Sequence, residues 1–137
     1  MDERIRATGH EHVTAGHEST LELTSDDYLT PAGDCIVGIE ADRVPAEFDV
    51  AFVEACQDYA TTITATLSTS EHEVEITGRG HPELSFDSGR SLVIRTSEYV
   101  DDRTVMIDAD TAAADLDRDL VDALAAGASV TMGLAVE

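Results

Sequence analysis

The sequence contains no lysine and no tryptophan, and aromatic residues make up only 4% of its 137 residues. It has two cysteines, Cys35 and Cys56, too few and too far apart for the disulfide framework of a small secreted domain. No apolar run approaches the ~18–20 residues that span a bilayer, and the N-terminal letters MDER do not begin a secretory signal. We therefore expect a single cytoplasmic domain over residues 1–137 that does not associate with a membrane.

Positive charge is also scarce, because 8 basic residues, all arginine, stand against 29 acidic ones for a net charge of −21. That much like charge repels itself in dilute buffer, whereas near 1 M salt the Debye length falls to about 3 Å and the repulsion is screened. The acids are spread from Asp2 to Glu137, whereas an acidic interaction tail would concentrate them. Together with 42% hydrophobic residues, enough for a folded core, this pattern predicts a halophilic protein.

Short segments of alternating apolar and polar residues, typical of half-buried strands, account for most of the chain. There are eight to ten of them, near residues 4–14, 20–24, 35–39, 62–67, 74–76, 84–86, 92–95, 104–107 and 130–136. Two segments have a helical period instead, one from Pro45 to Asp58 and one over Thr111–Ala126, which Asp110 caps and Gly127 ends. The pattern predicts a mostly-β fold, either an antiparallel sandwich or a closed, jelly-roll-like barrel, with two helices, one near the C-terminus, and no internal repeat.

Polar residues that are unusual in a β domain cluster early in the chain. His10, His12 and His17 lie within eight residues, and His81 stands in a glycine-bracketed loop, GRGHP, where the backbone can approach a ligand closely. If the strand runs regularly from His17, its ring shares a face with Leu21 and Leu23 and points inward. Cys35 shares a face with Val37 and Ile39 on a separate strand, so its side chain points inward too. We therefore expect a pocket lined by these two residues, with His10 and His81 contributed by loops at the same end.

Several of these residues belong to a longer pattern. It consists of Gly-His at 9–10, a further His, TLELT at 20–24 and LTPAGDCIVG at 29–38, followed by GHP at 80–82, IRTS at 94–97, RT at 103–104 and ADTAAADLDR at 109–118. The sequence thereby resembles an archaeal family, domain of unknown function 371, from about Gly9 to Leu124. The resemblance implies an archaeal source and a mostly-β, sandwich-like fold, but no activity. Thr111 departs from the family pattern, which has lysine there, and the absence of lysine throughout this chain accounts for the change.

Within this pattern the candidate catalytic residues are His17, Asp34 and Cys35. Histidine is the usual general base near neutral pH, and the family resemblance is what points to Asp34. Each residue also has a structural explanation, which the sequence leaves open. His17 could be a core histidine hydrogen-bonded to backbone, Asp34 could cap a turn, and Cys35 could be a small buried hydrophobic residue.

The wider set of candidate ligand-binding residues adds loop and strand positions: His10, Glu22, Thr30, Arg79, His81, Arg95 and Arg103. A divalent metal is a further candidate, with His10, His17 and His81 as its ligands, although no zinc-knuckle or HExxH spacing is present. Glu22 could instead lie on a solvated strand face, and the arginines could simply pair with some of the many carboxylates.

Three functions remain open on this basis. The first is a small-molecule or metal-binding domain, including an enzyme, for which the histidines and Cys35 should converge. The second is a structural or protein-interaction domain, in which the polar motifs only fix turns and networks. The third is a nucleic-acid-associated module, for which Arg79, Arg90, Arg95 and Arg103 should form one face. The charge of −21 and the scarcity of aromatic residues argue against the third function.

Overall fold

A computed structural model describes all 137 residues, which form eight strands and two short α-helices. The strands are β1 (Asp2–Thr8), β2 (Thr20–Thr24), β3 (Ile36–Gly38), β4 (Thr62–Ser68), β5 (Glu73–Arg79), β6 (Ser91–Arg95), β7 (Thr104–Met106) and β8 (Ser129–Val136). They form two four-stranded sheets, sheet I in the order β1-β8-β4-β5 and sheet II in the order β3-β2-β6-β7. The predicted mostly-β fold is confirmed, and it is a sandwich rather than a closed barrel.

The two sheets differ in how their strands pair. Sheet I is antiparallel throughout, whereas sheet II has an antiparallel β2–β6 centre flanked by the parallel pairs β2–β3 and β6–β7. The parallel pairs depart from the expected antiparallel pattern because a long crossing loop, not a hairpin, joins the strands of each pair. Isolated bridges between Thr8 and Ile39 and between Arg79 and Ile107 connect the two sheets at their edges.

The core lies between the sheets and follows from strand alternation, since every second side chain points the same way. Sheet I contributes Ile63, Ala65 and Leu67 of β4, all fully buried, with matching residues from β1, β5 and β8. Sheet II contributes Leu21 and Leu23 of β2 with their cross-strand partners on β6. Each fully buried Leu or Ile of this kind contributes about 1.5–3 kcal/mol through removal from water.

Both helices are shorter than their sequence patterns predict. α1 spans Val50–Cys56 and α2 spans Arg118–Ala125, and each follows a separate 3₁₀ turn, at Pro45–Glu47 and Ala113–Asp115. The predicted cap Asp110 instead accepts a hydrogen bond from the backbone N–H of Thr77 across the molecule. Asp117 caps α2 by accepting from the N–H of Asp119. None of the helices has the length and apolar character needed to cross a membrane.

One predicted strand does not form. Leu84 and Phe86 are buried as the pattern requires, but Phe86 has a φ of 53°, and the extended conformation is broken there. Ala15 has a similar φ of 48° at the corresponding place in the first half of the chain. The predicted strand over 4–14 also stops early, at Thr8. Both buried segments are loops that turn back over the core.

These matching positive φ values belong to an internal repeat that the sequence analysis did not predict. Residues 2–68 and 73–136 each run through three strands, a 3₁₀ turn, an α-helix and a final strand in the same order. Corresponding backbone hydrogen bonds recur, for example from Asp42 to Arg6 and from Asp110 to Thr77. The prediction that the chain has no internal repeat is therefore wrong at the level of structure.

The two halves are related by an approximate two-fold axis that passes through the centres of both sheets. In sheet I the central cross-strand pair is Thr66 with Gly133, and in sheet II it is Glu22 with Val93. The two residues of each pair are equivalent positions of the repeat: Thr66 in the first half corresponds to Gly133 in the second, and Glu22 corresponds to Val93. The outward-facing residues nearest the axis therefore bring together side chains from both halves of the chain.

Candidate functional site

The strongest concentration of polar chemistry lies on the outer side of sheet II, close to this axis. The thiol of Cys35 donates to Oε1 of Glu22 at 3.4 Å, and Nη1 of Arg103 lies 3.8 Å from the same oxygen. Nη2 of Arg103 and Nη2 of Arg95 both contact Oδ2 of Asp101, at 3.1 and 2.9 Å. We call these five residues the Glu22 cluster. Only 11% of the Glu22 side chain is exposed, compared with 42% for Arg103.

The charges within the Glu22 cluster stabilise one another. Burial alone would raise the pKa of Asp101, but hydrogen bonds from Arg103 and the nearby charge of Arg95 lower it overall. Arg95 also donates from Nε to the hydroxyl of Thr104 at 2.9 Å. Sequence reasoning missed Asp101, the carboxylate that joins the two arginines. Its signal was the turn sequence DDRT at 101–104, in which an aspartate commonly binds nearby backbone amides.

Cys35 faces Glu22 rather than the core, contrary to the prediction that its side chain points inward. Strand β3 begins only at Ile36, and its register against β2 shifts between Glu22 and Leu23, so the alternation does not extend back to residue 35. Burial raises the pKa of the Cys35 thiol to about 11, and the negative charge of Glu22 adds to the increase. The thiol is therefore protonated at neutral pH, unlike an activated nucleophile.

We expect Cys35 to react slowly with iodoacetamide at pH 8, with a rate that still rises with pH at pH 10, because only the thiolate reacts. Replacing Glu22 by Gln removes a negative charge that raises this pKa, so the rate at pH 8 should increase. Mass spectrometry, with Cys35→Ala as the control, separates labelling at Cys35 from labelling at Cys56. Cys56 should also react slowly, because burial raises the pKa of its thiol to about 12. Fast labelling that levels off near pH 7 would show that Cys35 is activated after all.

The imidazole of His17 caps the turn before β2. Its Nδ1 accepts hydrogen bonds from the backbone N–H groups of Ser19 and Thr20, at 3.2 and 3.1 Å, and lies 2.9 Å from the Thr20 hydroxyl. In the second half of the chain, the hydroxyl of Ser88 accepts from the N–H groups of Arg90 and Ser91 in the same way. The repeat thus supports a structural explanation for His17. Its ring is half-buried and does not point into the core as predicted, because β2 begins only at Thr20 and the strand alternation does not extend back to residue 17.

The repeat also predicts which substitution His17 tolerates. His17→Ala removes the acceptor and should cost about 1 kcal/mol of unfolding free energy, the usual value of a lost side-chain cap. His17→Ser should recover much of that loss, because Ser88 performs the same task in the equivalent turn. Urea denaturation of both variants measures the difference. Equal losses for the two variants would argue against the capping role.

The predicted histidine pocket does not form, because His10 and His81 lie far apart. They follow β1 and β5, the two edge strands of sheet I, which are three strand spacings or roughly 14 Å apart. These strands also run in opposite directions, so the two histidines stand at opposite ends of the sheet. His10, His17 and His81 therefore do not form the predicted metal site, and no group of three His, Cys, Asp or Glu side chains has a metal-binding arrangement.

His10 and His81 instead repeat one structural role. Nδ1 of His10 accepts from the N–H of His12 at 3.0 Å, and Nδ1 of His81 accepts from the N–H of Glu83 at 2.9 Å. Nε2 of His81 also lies 3.0 Å from the hydroxyl of Tyr59, a residue that the sequence analysis did not single out.

Asp34 and Thr30 accept hydrogen bonds through their backbone carbonyl groups. The carbonyl of Asp34 accepts from the N–H groups of Gly16 and His17, at 3.0 and 3.3 Å, which brings the His17 turn beside Cys35. The carbonyl of Thr30, in an exposed turn, accepts from Gly33. Thus His17, Asp34, Cys35 and Glu22 are neighbours, whereas Thr30 lies in the turn ahead of them.

The arginines proposed for nucleic-acid binding are held by carboxylates. Arg79 contacts Asp108 at 2.6 Å, and Arg90 contacts Asp26 at 2.7 Å. Arg95 and Arg103 share Asp101, as described above. Since phosphate binding needs guanidinium groups free to contact it, these ion pairs compete with the contacts that the nucleic-acid hypothesis requires.

None of the surface hollows contains a predicted site residue. A hollow of about 360 Å³ lies beside α1, and one of about 260 Å³ lies where β1 meets β8. The largest, about 480 Å³, lies on the outward face of sheet I, where Gly133 presents no side chain. No hollow is lined by a residue of the Glu22 cluster.

The outward face of sheet I has a composition unlike the rest of the chain. Its two central strands present only small, uncharged residues, which we call the neutral face: Thr62, Thr64, Thr66, Ser68, Ser129, Thr131, Gly133 and Ala135. Arg4 and Arg6 on β1 border it on one side, and Glu73 and Glu75 on β5 border it on the other. Sequence reasoning missed this surface, although its signal was the alternation of small polar residues with core residues along β4 and β8.

The four bordering side chains share a further property. Arg4 and Arg6 make no ion pair or side-chain hydrogen bond within the chain, whereas each of the other six arginines makes at least one. The carboxylates of Glu73 and Glu75 are likewise unpaired, and all four residues are exposed. In a chain with 29 acids, two arginines without a carboxylate partner are unusual.

Comparison with known proteins places the chain in a family without assigning it an activity. Residues 5–137 match the model of Domain of unknown function (DUF371). The chain is also 39% identical over 127 residues to the uncharacterized protein MJ0206 of Methanocaldococcus jannaschii, covering 93% of each protein. The resemblance expected from the sequence motifs is confirmed: this chain belongs to the DUF371 family.

Proposed function

We propose that this protein is a protein-interaction domain that binds its partner through the neutral face of sheet I. The observation that carries the proposal is the absence of charge across two central strands of a domain with a net charge of −21. The cores of protein interfaces are depleted of charged residues, because each buried charge must be desolvated. An uncharged face with unpaired charges along both borders has that composition.

The geometry of the predicted site residues and of the Glu22 cluster favours the neutral face as the binding surface. The histidines and Asp34 are used in turns, and the Glu22 cluster is closed by its own contacts. By contrast, the neutral face is not covered by any element of the chain, and its residues are exposed or half-buried. An unpartnered face is the kind of surface that a partner would cover.

Photo-crosslinking tests the proposed function. A photoreactive amino acid at Thr66, in the middle of the face, should give a discrete crosslinked product in concentrated host extract at native salt. The same amino acid at Glu11, which is exposed in the loop after β1, is the control. The Thr66 product should disappear when Gly133→Glu is added, and failure to obtain any product above the control would refute the proposal.

A small-molecule site at the Glu22 cluster is the second candidate function. It is favoured by the convergence of Glu22, Cys35 and Arg103 from both halves of the chain, with a half-exposed guanidinium at the surface. A ligand would have to displace Arg103 from Asp101 to gain access. Thermal-shift screening with small carboxylates and phosphates tests it. A stabilising compound should lose its effect in Arg103→Gln, and no shift with any compound would count against this candidate.

The setting of the protein is part of the same proposal. Two free cysteines fit a reducing, cytoplasmic compartment, and the arginine-only, acid-rich composition fits a cytoplasm with high salt.

A further inference from the structure

We infer that the partner on the neutral face is a second copy of this chain, bound face to face about a two-fold axis that runs parallel to the strands between β4 and β8. This inference rests on the proposed function and names its partner. The unpaired charges on the two borders of sheet I are arranged so that they match a second copy.

Strand register places the charges in rows that cross the sheet. One row runs Arg4, Gly133, Thr66, Glu75, and the next runs Arg6, Thr131, Ser68, Glu73. Each row therefore begins with an unpaired cation on β1, continues through two small neutral residues, and ends with an unpaired anion on β5. The third row, Asp2, Ala135, Thr64 and Thr77, carries one charge.

A two-fold rotation about an axis parallel to the strands places each row over the same row of the second copy, in the reverse order. Arg4 then faces Glu75 of the second copy and Arg6 faces its Glu73, and the reciprocal contacts make four ion pairs. At the centre, Thr66 of each copy lies over Gly133 of the other, where the 480 Å³ hollow can receive its side chain. An isologous two-fold interface requires this kind of self-complementarity.

The other two-fold arrangement within the plane of the sheet is disfavoured by charge. An axis perpendicular to the strands would place Arg4 against Arg4 of the second copy and Glu75 against Glu75 of the second copy. Like charges in contact oppose association, so the arrangement of charge selects the axis parallel to the strands. Two sheets packed in this way keep their strands within about 30° of each other, as in other aligned sheet packings.

Gly133 provides the steric test. A Cβ atom at Gly133 would meet nothing within 4 Å in the single chain, so Gly133→Glu should leave the fold intact while placing a charged side chain at the centre of the interface. Gly89 is an exposed loop glycine with the same open surroundings, and Gly89→Glu is the matched control. Sedimentation equilibrium in 2–3 M KCl should give wild type and Gly89→Glu at twice the 14.6 kDa chain mass. Gly133→Glu should dissociate roughly 100-fold more readily, as expected when the centre of an interface is disrupted.

Charge exchange tests the orientation. The double variant Arg4→Glu/Arg6→Glu carries anions on both borders, and Glu73→Arg/Glu75→Arg carries cations on both, so each alone should be monomeric. Mixed together they should form a heterodimer, because every border of one variant then meets the opposite charge of the other. Glu11→Arg/Asp27→Arg makes the same change in net charge as Glu73→Arg/Glu75→Arg, at exposed positions elsewhere, and should remain dimeric.

A monomeric wild type would overturn the dimer, and so would a dimer unaffected by Gly133→Glu. Two folded charge variants that fail to associate when mixed would overturn the proposed orientation. If the purified chain is monomeric but crosslinking at Thr66 captures a different protein, the dimer is wrong and the interaction function stands. If Thr66 gives no crosslink at all, both are wrong.

Discussion

Lowering KCl from 3 M to 0.1 M should reduce the melting temperature by at least ~10 °C, or unfold the protein outright. The net charge of −21 on 137 residues is the cause. At 0.1 M salt the Debye length is about 10 Å, so each carboxylate interacts with many others across the small surface. The unfolded chain spreads the same charges over a larger volume, and folding therefore becomes less favourable as screening is lost.

A variant with fewer charges separates screening from other effects of salt. Six exposed acids make no side-chain hydrogen bond or ion pair in the chain and can be replaced by the matching amides: Glu11, Asp27, Glu54, Glu83, Asp87 and Asp122. This variant should show a shallower dependence of melting temperature on KCl, measured by circular dichroism. A wild-type melting temperature that is flat across the range would exclude the proposed adaptation to salt.

Strand alternation was sufficient to predict the mostly-β fold, although not to choose a sandwich over a closed barrel, because burial of one face imposes a period of two that is visible along β4 and β8. Helix ends were predicted poorly. Asp110 has the composition of a cap, but it binds the N–H of Thr77, more than thirty residues away. A contact of that kind depends on the tertiary fold and leaves no local signal.

The candidate site was only partly predictable. Glu22 and Cys35 were both candidates, but their contact was not predicted because Cys35 was expected to point inward, and the pocket with His10 and His81 depended on which ends of sheet I their strands reach. That property follows from strand order, which alternation does not specify. The neutral face was overlooked for a different reason, since threonine and serine on a strand look like an ordinary solvated face until their neighbours across the sheet are known.

The internal repeat was overlooked although part of it is visible in the sequence, where IEADRVPAEFD at 39–49 matches IDADTAAADLD at 107–117, because the agreement is confined to short segments. Cys35 corresponds to Arg103, Glu22 to Val93 and His17 to Ser88, so the side chains near the axis have diverged. Both halves also retain a Gly-His step after the first strand, at 9–10 and at 80–81. The glycines mark places where two segments of backbone come into direct contact.

Replacing either of these glycines by alanine should be among the most damaging single changes in the chain. A Cβ at Gly9 would overlap the carbonyl oxygen of Leu124, and a Cβ at Gly80 would overlap the carbonyl oxygen of Cys56, each near the end of a helix. Backbone atoms cannot rotate away as a side chain can, so the strand end and the helix would have to separate. Gly9→Ala and Gly80→Ala should each cost roughly 3–5 kcal/mol, or about 10–20 °C in melting temperature.

The control is Gly89→Ala, where the added methyl group meets nothing within 4 Å. It should change stability by less than about 1 kcal/mol, in the stabilising direction if anything, since alanine restricts the unfolded chain more than glycine does. Thermal and urea unfolding of the three variants at 3 M KCl measures the comparison. Because Gly9 and Gly80 are equivalent positions, we expect similar losses from both. A large loss at one and a negligible loss at the other would show that the two halves do not share the close contact between strand and helix that the repeat implies.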